Sequence, residues 1–88
     1  MADLVKAIQL FQQAVNLTHK NHSDLSSRLS NLGVSYQCRF ERTGKMTDLT
    51  EAFQNIQQAV RLTSENHPDM PAFLSNLGIS VHSHFSRT

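Results

Sequence analysis

The 88-residue sequence is long enough for one small domain with a core of marginal size. Its formal net charge is +1, and acidic and basic residues are mixed along the chain, which gives no electrostatic basis for binding nucleic acid or an anionic membrane. No apolar run approaches the roughly 18 residues of a membrane span, no signal peptide is recognisable, and the single cysteine, Cys38, cannot form an intrachain disulfide, so we expect a cytoplasmic protein.

The chain contains an internal repeat. Residues 3–43 (repeat one) align without a gap on residues 48–88 (repeat two), with 22 identities in 41 positions. The longest shared segment is Leu-Ser-Asn-Leu-Gly, at 29–33 and 74–78. Because no gap is needed, we expect both repeats to adopt the same structure within one domain that spans residues 1–88.

The first segment of each repeat is predicted to be an amphipathic helix, near residues 3–18 and 47–63. Its apolar residues recur at spacings of three and four, which is the period of one helix face. In repeat one these residues are Leu4, Ala7, Ile8, Phe11, Ala14, Val15 and Leu17. In repeat two, Asp48 and Glu51 are predicted to form a capping box at the start of the helix.

A second helix is predicted in each repeat, near residues 24–42 and 69–86. Asp24 and Asp69 are its natural N-caps, and Gly44 indicates a helix stop before repeat two begins. In repeat one its apolar residues are Leu25, Leu29, Leu32, Tyr36 and Phe40. Connections of about four to six residues favour antiparallel neighbours, so the predicted fold class is all-α with four helices.

These residues resemble the tetratricopeptide repeat. The first helix of that family carries a bulky residue, then x2-Leu-Gly-x2-Tyr, which is present at residues 29–36 and, with valine as the last residue, at 74–81. Its second helix carries Ala-x3-Phe-x2-Ala, which is present at residues 7–14 and, with isoleucine in place of phenylalanine, at 52–59. The resemblance covers nearly the whole chain.

The resemblance implies an α-solenoid of antiparallel helix hairpins, in which the small Gly33 and Gly78 let neighbouring helices approach closely. The 45-residue offset exceeds the family's usual period of about 34. It is similar to long-period arrays such as those of kinesin light chains and of fungal and bacterial signalling proteins. The helix order places one complete hairpin, about 24–63, between two half-repeats, as in a piece of a longer solenoid or a designed unit.

The resemblance also implies a protein or peptide partner, bound on the concave face that the first-type helices line. The residues that it places there are Ser27, Ser30, Asn31, Val34 and Gln37 in repeat one and Ala72, Ser75, Asn76, Ile79 and His82 in repeat two. Asn31 and Asn76 are the strongest candidates, because a carboxamide both donates to and accepts from a peptide backbone. The alternative interpretation is a purely structural or designed assembly module that has no ligand of its own.

Self-association is predicted as well, because a solenoid repeat buries its apolar face only against neighbours and about three repeats are usually needed. The predicted contact is head-to-tail stacking or helix swapping into a homo-oligomer. At the first end the predicted residues are Leu4, Ile8, Phe11 and Val15. At the last end they are Leu77, Val81 and Phe85.

Neither catalysis nor metal binding is expected. His82 and His84 are two residues apart and point to different faces of a helix, and no three or four ligands stand at metal spacing. The chain has histidines that could pair with Cys38 as nucleophile and base, but repeat two carries Ser83 at the position of Cys38 and nothing in the sequence indicates a pocket or an oxyanion hole. We therefore expect no enzymatic activity and no cofactor.

Overall fold

The computed structural model describes residues 2–19 and 24–87 and is all-helical within them. Its helices are α1 (Ala2–Leu17), α2 (Leu25–Thr43), α3 (Met46–Arg61) and α4 (Met70–Arg87). Every boundary lies within two residues of the predicted one, so the prediction of four helices is confirmed. Among the described residues, no helix is both long enough and apolar enough to cross a membrane.

Three of the helices end with a hydrogen bond to one of their last carbonyls. Gly44 follows α2 in the left-handed conformation (φ 72°), and its N–H donates to the Phe40 carbonyl at 2.7 Å, which confirms the predicted helix stop. A threonine follows both α1 and α3. Its hydroxyl donates to the carbonyl four residues earlier, at 2.5 Å for Thr18 and 2.6 Å for Thr63. These bonds satisfy one of the last carbonyls of each helix.

The capping box predicted at Asp48 and Glu51 is wrong. Helix α3 begins at Met46, and Lys45 at the cap position makes no side-chain hydrogen bond to the helix. Asp48 is instead buried and accepts two hydrogen bonds from Arg39. The physical reason is tertiary, because the short turn brings a guanidinium beside the carboxylate, and the two parallel charge-assisted bonds of this pair replace the single bond of a cap.

The connections are less uniform than the predicted four to six residues. Between α2 and α3 only two residues intervene, Gly44 and Lys45, whereas residues 62–69 join α3 to α4. The connection between α1 and α2 includes residues 20–23, with His22, which lie outside the described residues. Consecutive helices pack against each other, and α2 contacts all three of the others. Helix α2 is therefore the centre of the molecule.

All four helices contribute to the core. Its central cluster consists of Leu25, Leu29, Ala59 and Phe73, with Val15 and Val60 packed against it. The rest of the contact between α2 and α3 is equally closed, with five residues no more than 2% exposed: Leu32, Phe40, Leu49, Ala52 and Ile56. Removal of this apolar surface from water is the main force that holds α2 against α3.

Gly33 is confirmed as a point of close approach between helices, whereas the same prediction for Gly78 is wrong. A Cβ atom at Gly33 would lie 2.4 Å from Ile56 Cγ1 and 3.0 Å from the Ala52 carbonyl oxygen. A Cβ atom at Gly78 would meet no described atom within 4 Å. The sequence is the same at the two positions, but α3 covers only the first of them.

Candidate protein-binding surfaces

A depression of about 190 Å³ lies between α2 and α4, on the face predicted to bind peptides. Its lining residues are Val34, Gln37, Cys38 and Glu41 of α2, Ile56 of α3, and Asn76, Ile79 and Ser80 of α4. Because Ile56 is only 1% exposed, it lies at the bottom. The fold therefore brings together four of the predicted peptide-binding residues: Val34, Gln37, Asn76 and Ile79.

Val34 and Ile79 are the accessible apolar part of this depression. They occupy equivalent positions of the two repeats, and they are 39% and 50% exposed. Exposed aliphatic side chains around a concavity gain free energy when a partner covers them. These two residues are thus placed to hold an apolar side chain of a ligand.

The two predicted asparagines have different surroundings. Asn31 is exposed, as a ligand contact requires. Asn76 is half-buried, and its Nδ2 donates to the Oγ of Ser30 at 3.2 Å. Ser30 itself is buried. Asn76 therefore fixes α4 to α2, and the amide of Asn31 is the one that faces solvent.

Gln37, a predicted ligand contact, joins the same two helices. It is 7% exposed, its Nε2 donates to Ser83 Oγ at 3.1 Å, and its Oε1 accepts from Ser80 Oγ at 3.4 Å. Ser80 is fully buried, so these bonds satisfy polar groups that cannot reach water. The family pattern gave no signal for this role, which depends on the position of α4.

The remaining predicted residues of the peptide face lie outside this depression. Ser27 is half-buried and lines a separate depression of about 260 Å³ together with Leu62 and His67. Ser75 and His82 are exposed on α4. The predicted site thus divides into a central group between the helices and flanking residues on either side.

The residues predicted for self-association lie at the two ends of the helix array and differ in exposure. Ile8 is 5% exposed, so it is already packed within the chain. Phe85 is 73% exposed and borders a depression of about 240 Å³. The other lining residues of that depression are Thr50, Phe53, Val81 and His84. The half-buried members of the predicted set are Leu4, Phe11, Val15, Leu77 and Val81.

An ion pair between Arg39 and Asp48 connects the end of α2 to the start of α3. The Arg39 Nε donates to Asp48 Oδ2 at 3.0 Å, and a terminal nitrogen donates to Oδ1 at 2.8 Å. The hydrogen bond to the carboxylate raises the pKa of Arg39. The sequence predicted a cap at Asp48 and did not predict this ion pair. The nine-residue separation across a glycine stop was the signal that the two could meet.

Tyr36 lies against this ion pair. The guanidinium carbon of Arg39 is 5.5 Å from the centre of its ring. Burial raises the pKa of Tyr36 above its usual value, and the negative charge of Glu51 adds to the effect. The hydroxyl of this single tyrosine therefore remains protonated to a higher pH than a free phenol.

The described residues contain no group of three or more histidine, cysteine, aspartate or glutamate side chains that could hold a metal ion. Cys38 is exposed beside the 190 Å³ depression. Ser83, its equivalent in repeat two, accepts the hydrogen bond from Gln37. These positions take part in the surface between α2 and α4.

Comparisons with models of known protein families, with curated proteins and with solved structures gave no significant match. The resemblance to the tetratricopeptide repeat therefore depends on the sequence motifs alone. Function is inferred from the two surfaces, the depression between α2 and α4 and the exposed face of α4.

Proposed function

We propose that this protein is a protein–protein interaction scaffold, an α-solenoid unit of the tetratricopeptide type that binds a peptide segment across α2 and α4. The observation that carries the proposal is the paired exposure of Val34 and Ile79, 39% and 50%, beside a depression of about 190 Å³. Recognition surfaces commonly combine a few apolar anchor positions with a small number of polar groups. Asn31 supplies such a polar group on the same helix as Val34.

The lining of the depression favours a peptide with an aliphatic side chain and without an acidic cluster. Glu41 is the charged residue among the lining side chains, so a carboxylate of the ligand would meet like charge there. A basic residue next to the aliphatic anchor would meet attraction instead. The exposed amide of Asn31 can donate to and accept from the peptide backbone.

One observation favours a second candidate, a structural module with no ligand of its own. Polar groups on this face already bond one another across α2 and α4, as in the pairs Asn76–Ser30 and Gln37–Ser83. A face whose amides serve helix packing requires no ligand for their satisfaction. A measurement of peptide binding therefore distinguishes the peptide-binding scaffold from the structural module.

The test is selection of peptides from a random phage-displayed library on the immobilised 88-residue chain. A selected peptide is then synthesised and its contacts are mapped by amide chemical-shift changes. We expect the changes to centre on Val34 and Ile79. Val34→Asp and Ile79→Asp should each weaken binding about tenfold or more, because each removes an aliphatic contact that the bound peptide would bury, worth about 1.5 kcal/mol or more.

Gln58→Asp is the matched control, since it adds the same charge at an exposed position of α3. Its binding should equal that of the wild type. Shift changes centred on the exposed Gln13 and Gln58 would show that the peptide site is assigned to the wrong face. Failure of the library to yield any specific peptide would favour the structural module.

A further inference from the structure

The outer face of α4 fits a second molecule of the same chain. We propose that α4 of one molecule packs against α1 of the next, in the register in which α2 packs against α3 within each chain. The proposal rests on the internal repeat and on side-chain burial. It goes beyond the peptide-binding surface and does not depend on it.

The contact between α2 and α3 is the template for this interface. At the 45-residue offset of the repeat, α4 is equivalent to α2 and α1 is equivalent to α3. The close approach of Gly33 to Ile56 then becomes an approach of Gly78 to Phe11 of the next molecule. The interface would thus reuse a packing arrangement that the chain already forms once.

The face of α1 that enters this interface is only partly covered in the single chain. Its residues Leu4, Ala7, Phe11 and Ala14 are all half-buried. Their equivalents in α3 are no more than 1% exposed: Leu49, Ala52, Ile56 and Ala59. Helix α2 buries this face of α3, whereas the described residues cover the equivalent face of α1 only in part.

The equivalent face of α4 is likewise more exposed than its counterpart on α2. Leu74 is 49% exposed and Phe85 is 73% exposed. Their equivalents in α2, Leu29 and Phe40, are each 2% exposed. Both halves of the α2–α3 contact are therefore present a second time in the chain, on the described helices α1 and α4, which do not contact each other.

Gly78 supplies an independent indication. A glycine within a helix lowers the stability of that helix relative to alanine, so it needs a reason in packing or function. Within the described structure nothing lies within 4 Å of a Cβ atom placed there. The equivalent Gly33 has such a reason, because Ile56 would be only 2.4 Å from its Cβ. If α1 of a second molecule packs there, Gly78 also lies at a close approach of two helices, which explains the glycine.

The charged groups at the edge of the interface agree with this register. At the 45-residue offset, His84 is equivalent to Arg39 and Asp3 is equivalent to Asp48. His84 is exposed at the rim of the 240 Å³ depression. A histidine opposite an aspartate makes a weaker contact than the bidentate arginine of the template. At this position the register therefore pairs a histidine with an aspartate, not two groups of like charge.

A second molecule suits this face better than helix swapping does. Swapping exchanges contacts that the chain already makes, so it brings no new helix to Gly78. Swapping would also straighten the two-residue connection at Gly44. The ion pair of Arg39 with Asp48 stabilises that connection in its present form. The proposed contact is head-to-tail, so it continues as a filament or closes into a ring.

The test is sedimentation velocity of the 88-residue chain from low to high micromolar concentration, with circular dichroism of each sample. We expect concentration-dependent association of the wild type. Gly78→Ala should weaken it about tenfold or more, because a methyl group is added where helices approach closely. His84→Arg should tighten it about two- to fivefold, the range for an exposed ion pair. Gln58→Ala is the control and should associate like the wild type.

Gly78→Ala separates assembly from folding, since among the described residues the added methyl group meets nothing beyond its own stretch of helix backbone. Full helicity together with lost association therefore supports the proposal. A wild-type monomer of full helicity at high micromolar concentration would overturn it and assign the face to a different partner. Association of Gly78→Ala that equals wild type, or a closed swapped dimer, would overturn it too.

Discussion

Alanine substitutions at Gly33 and Gly78 test whether neighbouring helices, and not local sequence, determine the stability effect at each glycine. The two residues occupy equivalent positions within the same five-residue motif. Both lie within helices, so alanine relieves the same intrinsic cost of glycine, about 1 kcal/mol. The loss of freedom in the unfolded chain is also the same for both and cancels between them.

The packing term differs between the two positions. At Gly78 no described atom lies within 4 Å of the new Cβ, so we expect the full gain of about 1 kcal/mol. At Gly33 the Cβ would lie 2.4 Å from Ile56 Cγ1 and 3.0 Å from the Ala52 carbonyl oxygen. Neither neighbour is the far end of a flexible side chain, so overpacking should cost about 1–3 kcal/mol. Gly33→Ala is thus expected to be less stable than Gly78→Ala by that amount.

The measurement is urea unfolding followed by circular dichroism, at low micromolar concentration so that association does not contribute. Thermal unfolding gives a second reading, in which each kcal/mol corresponds to about 4–8 °C for a domain of this size. Equal stability of the two variants would refute the close packing of α3 over Gly33. Destabilisation by Gly78→Ala would show that a neighbour covers that glycine within the single chain.

Four further substitutions probe the region of the turn between α2 and α3. Arg39→Met should lower stability by about 2–4 kcal/mol in urea unfolding, because it leaves the buried Asp48 carboxylate without its partner, whereas Asp48→Asn should cost only about 1–2 kcal/mol because Arg39 can still reach water. Tyr36, the single tyrosine in a chain without tryptophan, should show a phenolate absorbance midpoint above 10.0, and Glu51→Gln should lower it. Since the folded state holds that proton more tightly than the unfolded state, stability should fall as pH rises above 10.0. Gly44→Ala should cost about 1–2 kcal/mol in thermal unfolding, because φ is 72° there.

The helices could be predicted from the sequence because their signals are local. Apolar residues at spacings of three and four define a face of each helix, and Gly44 ends α2 by its own conformational freedom. Because the two repeats align without a gap, a helix predicted in one repeat is also predicted at the equivalent positions of the other. These signals require no knowledge of which helix packs on which, and the boundaries came within two residues.

The roles of Asp48, Gln37 and Gly78 could not be predicted, because each depends on a neighbouring helix. Asp48 has the sequence context of a cap, but the short turn brings Arg39 to it. Gln37 follows a pattern that faces a ligand, but α4 buries it against Ser83. Gly78 repeats the sequence of a packed glycine, but no other described helix lies against it. An internal repeat preserves a residue and its helix, but its surroundings change at either end.

The two proposed surfaces are linked through their geometry. In the head-to-tail register, α2 of the next molecule would lie beside α4 of the first molecule. This arrangement repeats the one within a single chain, where α4 lies beside α2. Ile79 of one molecule and Val34 of the next would then border a further depression of the same kind. A peptide long enough to occupy both depressions gains a second contact at high effective concentration, whereas a short peptide does not.

Assembly and the binding of a long peptide should therefore strengthen each other reciprocally. We expect Gly78→Ala to weaken the binding of a peptide that carries two copies of the selected motif by about tenfold or more, and to leave a single-motif peptide unaffected. Isothermal titration of both peptides against both proteins measures the difference. Equal loss for the two peptides would mean that the substitution disturbs the depression itself. Equal affinity of both peptides for both proteins would mean that assembly does not align successive depressions. In that case the second motif of the long peptide has no site to bind.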